Sequence, residues 1–252
     1  MNHRILLTII VINLFFPVFA FNPDSLVQLG NRYYVNNDYQ KAADTYQLVI
    51  DSGYAAPELY FNLGNSYYRM NNFAMAILNF ERALLLAPAN KDIKFNLELA
   101  NAHVVDKIDV IPEFFLKRWL RDLTRIATSN IWAILSMSAF ILFLILLITY
   151  LFSAKRFVKQ LSFYTFIIAF MISVICFVFS AQRSKMLTER RHAIIVAPSV
   201  TAKSSPDEYG TNLFILHEGT KVEVVDSVDL WNEIKISNGN KGWVQKSAFE
   251  RI

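Results

Sequence analysis

The chain has 252 residues, 54% of them hydrophobic, and a formal net charge of +4 at pH 7. The net-basic segments each flank an apolar stretch, which indicates contact with a lipid bilayer and argues against a nucleic-acid partner. The single cysteine, Cys176, lies inside one of these stretches, so an intrachain disulfide is excluded.

The first twenty residues have the order of a secretory signal peptide. Met1–Arg4 is a short basic start, Ile5–Phe16 is apolar, and Val18–Ala20 ends in a small residue suited to cleavage. We therefore predict a signal peptide over residues 1–20, with an uncleaved membrane anchor as the alternative. Both interpretations place the domain that follows outside the cytoplasm.

Two segments that follow share a pattern at a spacing of 34 residues. The matching groups are Leu29-Gly30 with Leu63-Gly64, Tyr33-Tyr34 with Tyr67-Tyr68, Ala42 with Ala76, and Tyr46 with Phe80. The pattern resembles the tetratricopeptide repeat, in which the glycine lets two helices approach closely and the aromatic residue fills the space beside it.

The resemblance predicts an all-α solenoid over residues 22–106, with repeats at 23–56 and 57–90 followed by a capping helix. Two repeats and a cap are fewer than a free-standing solenoid needs. We therefore expect the array to lean on another surface, either the segment after Pro112 or a partner protein.

Arrays that resemble this one bind an extended peptide on the concave face formed by the first helix of each repeat. The resemblance implies that asparagines hold the peptide backbone, because a primary amide both donates and accepts hydrogen bonds, and that apolar side chains form pockets. These residues are Asn31, Asn62, Asn65, Asn96, Val27, Tyr34, Phe61, Tyr68 and Phe95. Val27 replaces the lysine of the carboxylate-clamping subtype, so carboxylate capture is not predicted. The alternative is that Asn62 and Asn65 only form hydrogen bonds within the array.

An amphipathic segment leads from the repeats towards the membrane. Apolar residues at helical spacing, including Phe115 and Trp119, alternate with Lys117, Arg118 and Arg121. The pattern predicts a helix over 112–130 that lies either among the lipid headgroups or against the repeats.

Two apolar runs then predict a transmembrane hairpin, with helices at 131–152 and 161–181 and a basic loop at 153–160. Each run is long enough to cross a bilayer, and neither carries an ionisable residue, which argues against an ion path. With the signal peptide, the loop is expected in the cytoplasm and both soluble domains outside it. The larger number of cations on the other two flanks argues against this orientation.

The last segment, 191–252, changes to a period of two and predicts five short strands in a small closed barrel. Gly242 before Trp243, with Gly219 before an earlier strand, resembles a bacterial SH3 (SH3b) domain. Some members of that family bind cell-wall peptide. We therefore predict a ligand surface at Tyr209, Trp231 and Trp243, with both tryptophans in the core as the alternative.

The order of segments describes a multidomain membrane protein and resembles the BatE-type family of the aerotolerance (Bat) operon. The runs 197–208 and 213–222 are the most specific part of the resemblance. It implies an inner-membrane accessory protein that works beside von Willebrand A-type and other Bat membrane proteins in oxidative-stress tolerance and envelope maintenance.

The sequence offers no recognisable catalytic set, and we predict neither a cofactor nor a metal. The four histidines, at 3, 103, 192 and 217, lie in four different segments. We therefore expect a non-enzymatic scaffold. The alternatives are an envelope anchor or sensor that binds peptidoglycan and, third, an enzyme whose residues converge only in the fold.

Overall fold

A computed structural model describes residues 23–108, 114–189 and 191–252. The predicted signal peptide, residues 1–20, and Pro112 lie outside these ranges. Within them a helical repeat region, two long apolar helices and a C-terminal antiparallel sheet follow one another along the chain, as the sequence predicts at this level of detail.

The repeat region consists of five helices. They are α1 (Pro23–Val35), α2 (Tyr39–Asp51), α3 (Pro57–Arg69), α4 (Phe73–Leu86) and α5 (Lys91–Asn101). Asn72 and Asn90 cap α4 and α5 by accepting hydrogen bonds from backbone N–H groups of the first turn. Asn37 and Asn71, at matching positions after α1 and α3, both adopt the left-handed conformation, with φ of 63° and 61°. Asparagine tolerates this conformation, which lets each helix pair reverse direction within a few residues.

Each helix pair closes around a glycine that faces an aromatic ring. A Cβ added to Gly30 would lie 2.5 Å from the ring of Tyr46, and one added to Gly64 would lie 2.7 Å from the ring of Phe80. Both rings are fully buried. The predicted close approach of the two helices in each pair is therefore present in both.

Three helices follow: α6 (Phe115–Thr124), α7 (Ser129–Phe152) and α8 (Arg156–Thr188). The predicted helix over 112–130 is shorter in the structure, because the chain bends after Thr124 and Thr128 caps α7. The predicted loop over 153–160 is also too long, since α8 already begins at Arg156. At 33 residues α8 is about 50 Å long and extends beyond a bilayer core of about 30 Å.

Helices α7 and α8 pack against each other through paired serines. Ser136 and Ser173 donate their hydroxyl groups to each other's backbone carbonyl, at 2.9 and 3.0 Å. Ser129, seven residues earlier in α7, and Ser180, seven residues later in α8, do the same at 3.1 and 3.0 Å. Small side chains let the two backbones come this close.

Both long helices are apolar enough to cross a membrane, over Ser129–Phe152 and Arg156–Met186. Only 6% and 22% of their most apolar windows are buried, so most of this apolar surface faces outward. A core helix of a soluble protein would bury such a surface.

The C-terminal sheet has seven antiparallel strands in the order β3-β2-β6-β5-β4-β1-β7. They are β1 (His192–Ile195), β2 (Ser199–Lys203), β3 (Asn212–His217), β4 (Lys221–Val228), β5 (Trp231–Lys235), β6 (Lys241–Gln245) and β7 (Phe249–Arg251). The sequence predicted five strands and missed β2 and β7. The predicted closed barrel is not confirmed, because the strands at the two ends, β3 and β7, do not pair within the described part of the chain. Strand β7 has only three residues, and Arg82 from α4 donates to the carbonyl of Arg251 at 2.7 Å, which covers this edge.

The sheet packs directly against the helical repeats. Ile194 and Ile252 belong to the same buried cluster as Ile77 of α4 and Ile93 of α5. Lys221 forms an ion pair with Glu81 at 2.7 Å beside this cluster. The C-terminal sheet therefore supplies a second surface for the short array, which the sequence did not lead us to expect.

Candidate functional site

Helices α1, α3 and α5 form one side of the helical array, which we call the groove face. Helix α3 contacts both α1 and α5 directly. All nine residues predicted to bind a peptide lie on these three helices: Val27, Asn31, Tyr34, Phe61, Asn62, Asn65, Tyr68, Phe95 and Asn96.

Asn31 and Asn62 meet where α1 contacts α3. The side-chain N–H of Asn62 donates to Asn31 Oδ1 at 3.3 Å, and the Tyr46 hydroxyl donates to the same oxygen at 2.6 Å. Burial, with a smaller effect of Tyr34, raises the pKa of Tyr46 to about 12, so this hydroxyl keeps its proton. Bonds within the array thus occupy the Asn31 oxygen, as the alternative interpretation expects for Asn62. They leave the Asn31 Nδ2 and the Asn62 Oδ1 to a ligand.

Asn65 and Asn96 are half-buried on the same face. Neither side chain makes a hydrogen bond to the part of the chain that the structure describes. A primary amide can donate and accept at once, which matches the alternating N–H and C=O groups of an extended backbone. These two amides are therefore better placed to bind a ligand than the Asn31–Asn62 pair.

The apolar residues of the groove face differ in how exposed they are. Phe61 is half-buried and packs on Phe80, with ring centroids 5.8 Å apart. Tyr68 is half-buried beside Phe73, and Val27 and Tyr34 pack against the core of the first helix pair. Phe95 is 61% exposed, and its position on α5 makes it the most available apolar contact of the predicted set.

Two neighbours of the groove face were missed by sequence reasoning. The Arg69 guanidinium donates to the Tyr39 hydroxyl at 2.7 Å and lies 5.1 Å from the centre of that ring. His103 stacks on Phe73 with ring centroids 3.9 Å apart. Arg69 follows Asn65 by four residues on α3, and this helical spacing could have placed it on the same face.

The sheet and the membrane hairpin both attach to α4, on another side of the array. Glu81 and Arg82 contact the sheet, and the carbonyl of Leu85 accepts a hydrogen bond from Arg183 of α8 at 2.6 Å. These polar contacts use the second helix of the second pair, and α5 adds the buried Ile93 to the cluster with the sheet. The predicted groove residues of α5, Phe95 and Asn96, are exposed and half-buried, so this contact does not cover them.

One carboxylate links the end of the array to the sheet. Asp106 Oδ2 accepts hydrogen bonds from the backbone N–H of His217 at 2.7 Å and from the Thr220 hydroxyl at 2.6 Å. Its second oxygen lies 2.7 Å from His217 Nδ1. Burial alone would raise the pKa of Asp106, but the hydrogen bonds from Thr220 and His217 outweigh it and hold this pKa below its ordinary value.

The two tryptophans lie on the outer face of the sheet and not in its core. Trp243 pairs directly with Glu233 of β5, and Trp231 lies two residues from Glu233 on the same face. Both tryptophans are half-buried, whereas the residues that alternate with them along β5 and β6 are fully buried. Lys203 lies 5.9 Å from the centre of the Trp231 ring and donates to the carbonyl of Glu208, beside the 98% exposed Tyr209.

Comparison with known proteins supports one part of this description. Residues 57–90 match the tetratricopeptide repeat family. The matched segment is the helix pair α3–α4, and the match indicates a module for interaction with other proteins. No curated protein matches the chain. Within the described residues, no group of three or more His, Cys, Asp and Glu side chains could hold a metal ion.

Proposed function

We propose that this protein is a non-enzymatic membrane scaffold that holds an extended segment of a partner protein on its groove face. The observation that carries the proposal is that the polar contacts of the second helix pair and the predicted groove residues lie on different helices. The ion pair with the sheet and the hydrogen bond with α8 are formed by α4, while α3 and α5 present half-buried amides without partners in the described chain and an exposed Phe95. The tetratricopeptide match adds that the partner is a protein.

The proposed location and partners rest on the order of segments and its resemblance to the BatE-type family. On that basis the scaffold lies in a bacterial inner membrane, with both soluble domains in the periplasm. It supports a complex with von Willebrand A-type and other Bat membrane proteins in oxidative-stress tolerance and envelope maintenance. The contact between the array and the sheet fits this assignment, because it requires both domains on one side of the membrane.

Site-specific photocrosslinking in the full-length protein tests the groove. A photoreactive p-benzoylphenylalanine replaces Phe95 and, as a matched control, Leu48, which is 53% exposed on α2 and outside the groove face. We expect discrete protein adducts from position 95 and none from position 48. Equal adducts from both positions would contradict the proposal.

An amide substitution shows whether the adduct depends on backbone recognition. Asn65→Ala removes a half-buried amide from the groove face, and the loss of one or two hydrogen bonds should lower partner affinity about tenfold. Gln47→Ala is the control, because Gln47 is also a half-buried amide but lies on α2, and in the described chain it donates to Asp51. Equal adduct yields from the two variants would remove the asparagines from the proposal.

A second candidate function is binding of peptidoglycan by the outer face of the sheet. The observation that favours it is the position of Trp231 and Trp243 on one face beside Lys203, where aromatic rings and a cation are available to a ligand. Full-length protein in detergent would be sedimented with purified cell wall. Trp243→Ala should abolish sedimentation and Leu230→Ala, at a 73% exposed residue, should not. Failure of the unaltered protein to sediment would exclude this function.

A further inference from the structure

The contact surface of α8 ends in a buried arginine. Small residues face α7 along α8 at Ala169, Ser173, Cys176 and Ser180, in steps of four, three and four residues. The next step of three leads to Arg183, which is only 3% exposed. A buried cation therefore follows the last of these small residues, beyond the uncharged run of α8.

Arg183 lacks an anionic partner among the described residues. One of its N–H groups donates to the carbonyl of Leu85, at the C-terminal end of α4, at 2.6 Å. A guanidinium has five N–H donors, so this bond uses one of them. The charge that acts on it is that of Arg125, a second cation without an ion pair in the described chain. A buried charge costs several kcal/mol unless an opposite charge and further hydrogen bonds compensate it.

The neighbouring cations are different, because they have carboxylate partners. Lys185 lies 3.3 Å and Arg191 lies 2.6 Å from the carboxylate of Glu189. Among the described residues, an acid thus accompanies the exposed cations at this end of α8 and none accompanies the buried one. Compensation of Arg183 therefore calls for an anion that is not among the described residues.

The sequence and the contacts place this arginine pair at the edge of the apolar layer. Arg125 is the last charged residue before α7, and Arg183 is the first after the uncharged run of α8. Trp132 donates its indole N–H to the carbonyl of Thr124 at 3.2 Å and packs on Phe179, in the position of an interfacial aromatic residue. Lipid phosphates are the anions present in quantity at this depth.

We propose that Arg125 and Arg183 bind the phosphate of an anionic phospholipid between α8, the bend before α7 and the C-terminal end of α4. Guanidinium groups bind phosphate through paired hydrogen bonds, and Arg183 has donors left for them. A zwitterionic headgroup carries its own cation and compensates two arginines less well. Because Arg183 also holds the carbonyl of Leu85, the bound lipid would fix the helical array to the bilayer surface. The site requires that α7 and α8 cross a membrane, but it does not depend on peptide binding by the groove face.

Native mass spectrometry of the full-length protein, released from nanodiscs, tests the site. Phosphatidylglycerol and phosphatidylcholine are titrated as matched anionic and zwitterionic probes. We expect one phosphatidylglycerol to be retained at least about tenfold more tightly than phosphatidylcholine. Arg183→Gln and Arg125→Gln should each remove this preference, and Lys185→Gln, at a cation paired with Glu189, should keep it.

Arg183→Gln changes a buried residue and could prevent folding. Arg125→Gln changes an exposed residue, so it tests the site even if Arg183→Gln fails to fold. Equal retention of the two lipids by the unaltered protein would overturn the proposal. So would a preference that survives Arg125→Gln. Displacement of phosphatidylglycerol by millimolar inorganic phosphate would identify a free-phosphate site and would overturn the assignment to lipid.

Discussion

Replacing Asp106 by alanine is expected to loosen the contact between the helical array and the sheet. Its carboxylate accepts two hydrogen bonds, at 2.7 and 2.6 Å, and lies 2.7 Å from a ring nitrogen of His217, while its side chain is only 13% exposed. Hydrogen bonds to a charged group contribute about 1.5–3 kcal/mol each, and neighbouring bonds do not add fully. We expect the contact to lose about 3 kcal/mol.

The substitution Asp106→Asn is the matched control, because it keeps the shape of the side chain and removes its charge. The two donors from His217 N and Thr220 Oγ1 meet the same oxygen, which an amide oxygen can replace. Only the charge and the contact with the imidazole are lost, so the expected cost is about 1 kcal/mol.

Hydrogen–deuterium exchange of the full-length protein in nanodiscs measures both variants. Exchange is followed in β7, because Arg82 of the array covers this edge strand and because it does not contact Asp106 itself. Since 1.4 kcal/mol is a factor of ten, alanine should speed exchange there about a hundredfold and asparagine about fivefold. Equal effects of the two substitutions, or no effect of alanine, would show that the charge of Asp106 does not hold the sheet against the array.

Further predictions concern close packing, the hairpin and pH. Gly64→Ala should cost about 1–3 kcal/mol in thermal unfolding, because its Cβ would lie 2.7 Å from a buried ring. Gly53→Ala, with φ of +89° and no neighbour within 4 Å, should cost only about 1 kcal/mol of backbone strain. Removing both hydroxyls of the Ser136–Ser173 pair should weaken the hairpin by about 1 kcal/mol, measured by steric trapping in bicelles. Because the pKa of Asp106 is lowered, its contribution to the free energy of the array–sheet contact should be complete above pH 3.8, its ordinary pKa, and should disappear as the pH falls below that value. Exchange in β7 should therefore speed up at low pH in the unaltered protein but not in Asp106→Asn.

Features that depend on local periodicity were predictable from the sequence. The spacing of Gly30 and Gly64 identified the two helix pairs, since each glycine must face the aromatic ring of its own pair. The uncharged runs identified the two long helices in the same way. Their ends were less predictable, because nothing between Gln182 and Thr188 stops a helix, and α8 therefore continues beyond the apolar run.

Features that depend on distant contacts were not predictable. Strand β2 has one fully buried residue, Ala202, and β7 is three residues long, so neither carries a clear alternating pattern. The partner of Asp106 lies 111 residues away, at His217, and no local signal connects them. Gly219 was identified from the sequence as the glycine before a strand, and its φ is +85°. Its second role is close packing, since an added Cβ would lie 2.9 Å from Val104 of the array.

The helices that carry the candidate site were predictable from the sequence, but the hydrogen bonding of its side chains was not. All nine groove residues lie on the expected helices, yet hydrogen bonding within the array distinguishes Asn31 and Asn62 from Asn65, and only the fold shows it. The sequence allows either a core or a surface position for the two tryptophans, because period-two strands do not reveal which face of the sheet is buried. The excess of cations near Arg183, which argued against a periplasmic orientation, has a structural explanation if these cations bind lipid.

The most direct test of the account is which side of the membrane each domain occupies. Single cysteines at Val35, Leu230 and Lys155, in a Cys176→Ser background, are labelled with a membrane-impermeant maleimide in spheroplasts and in inverted vesicles. Val35 and Leu230 are 77% and 73% exposed and report on the array and the sheet. We expect both to be labelled from the periplasmic side and position 155 to be labelled only from the cytoplasmic side. Labelling of positions 35 and 230 from opposite sides would contradict it, because the contacts of the sheet with α4 could then not form.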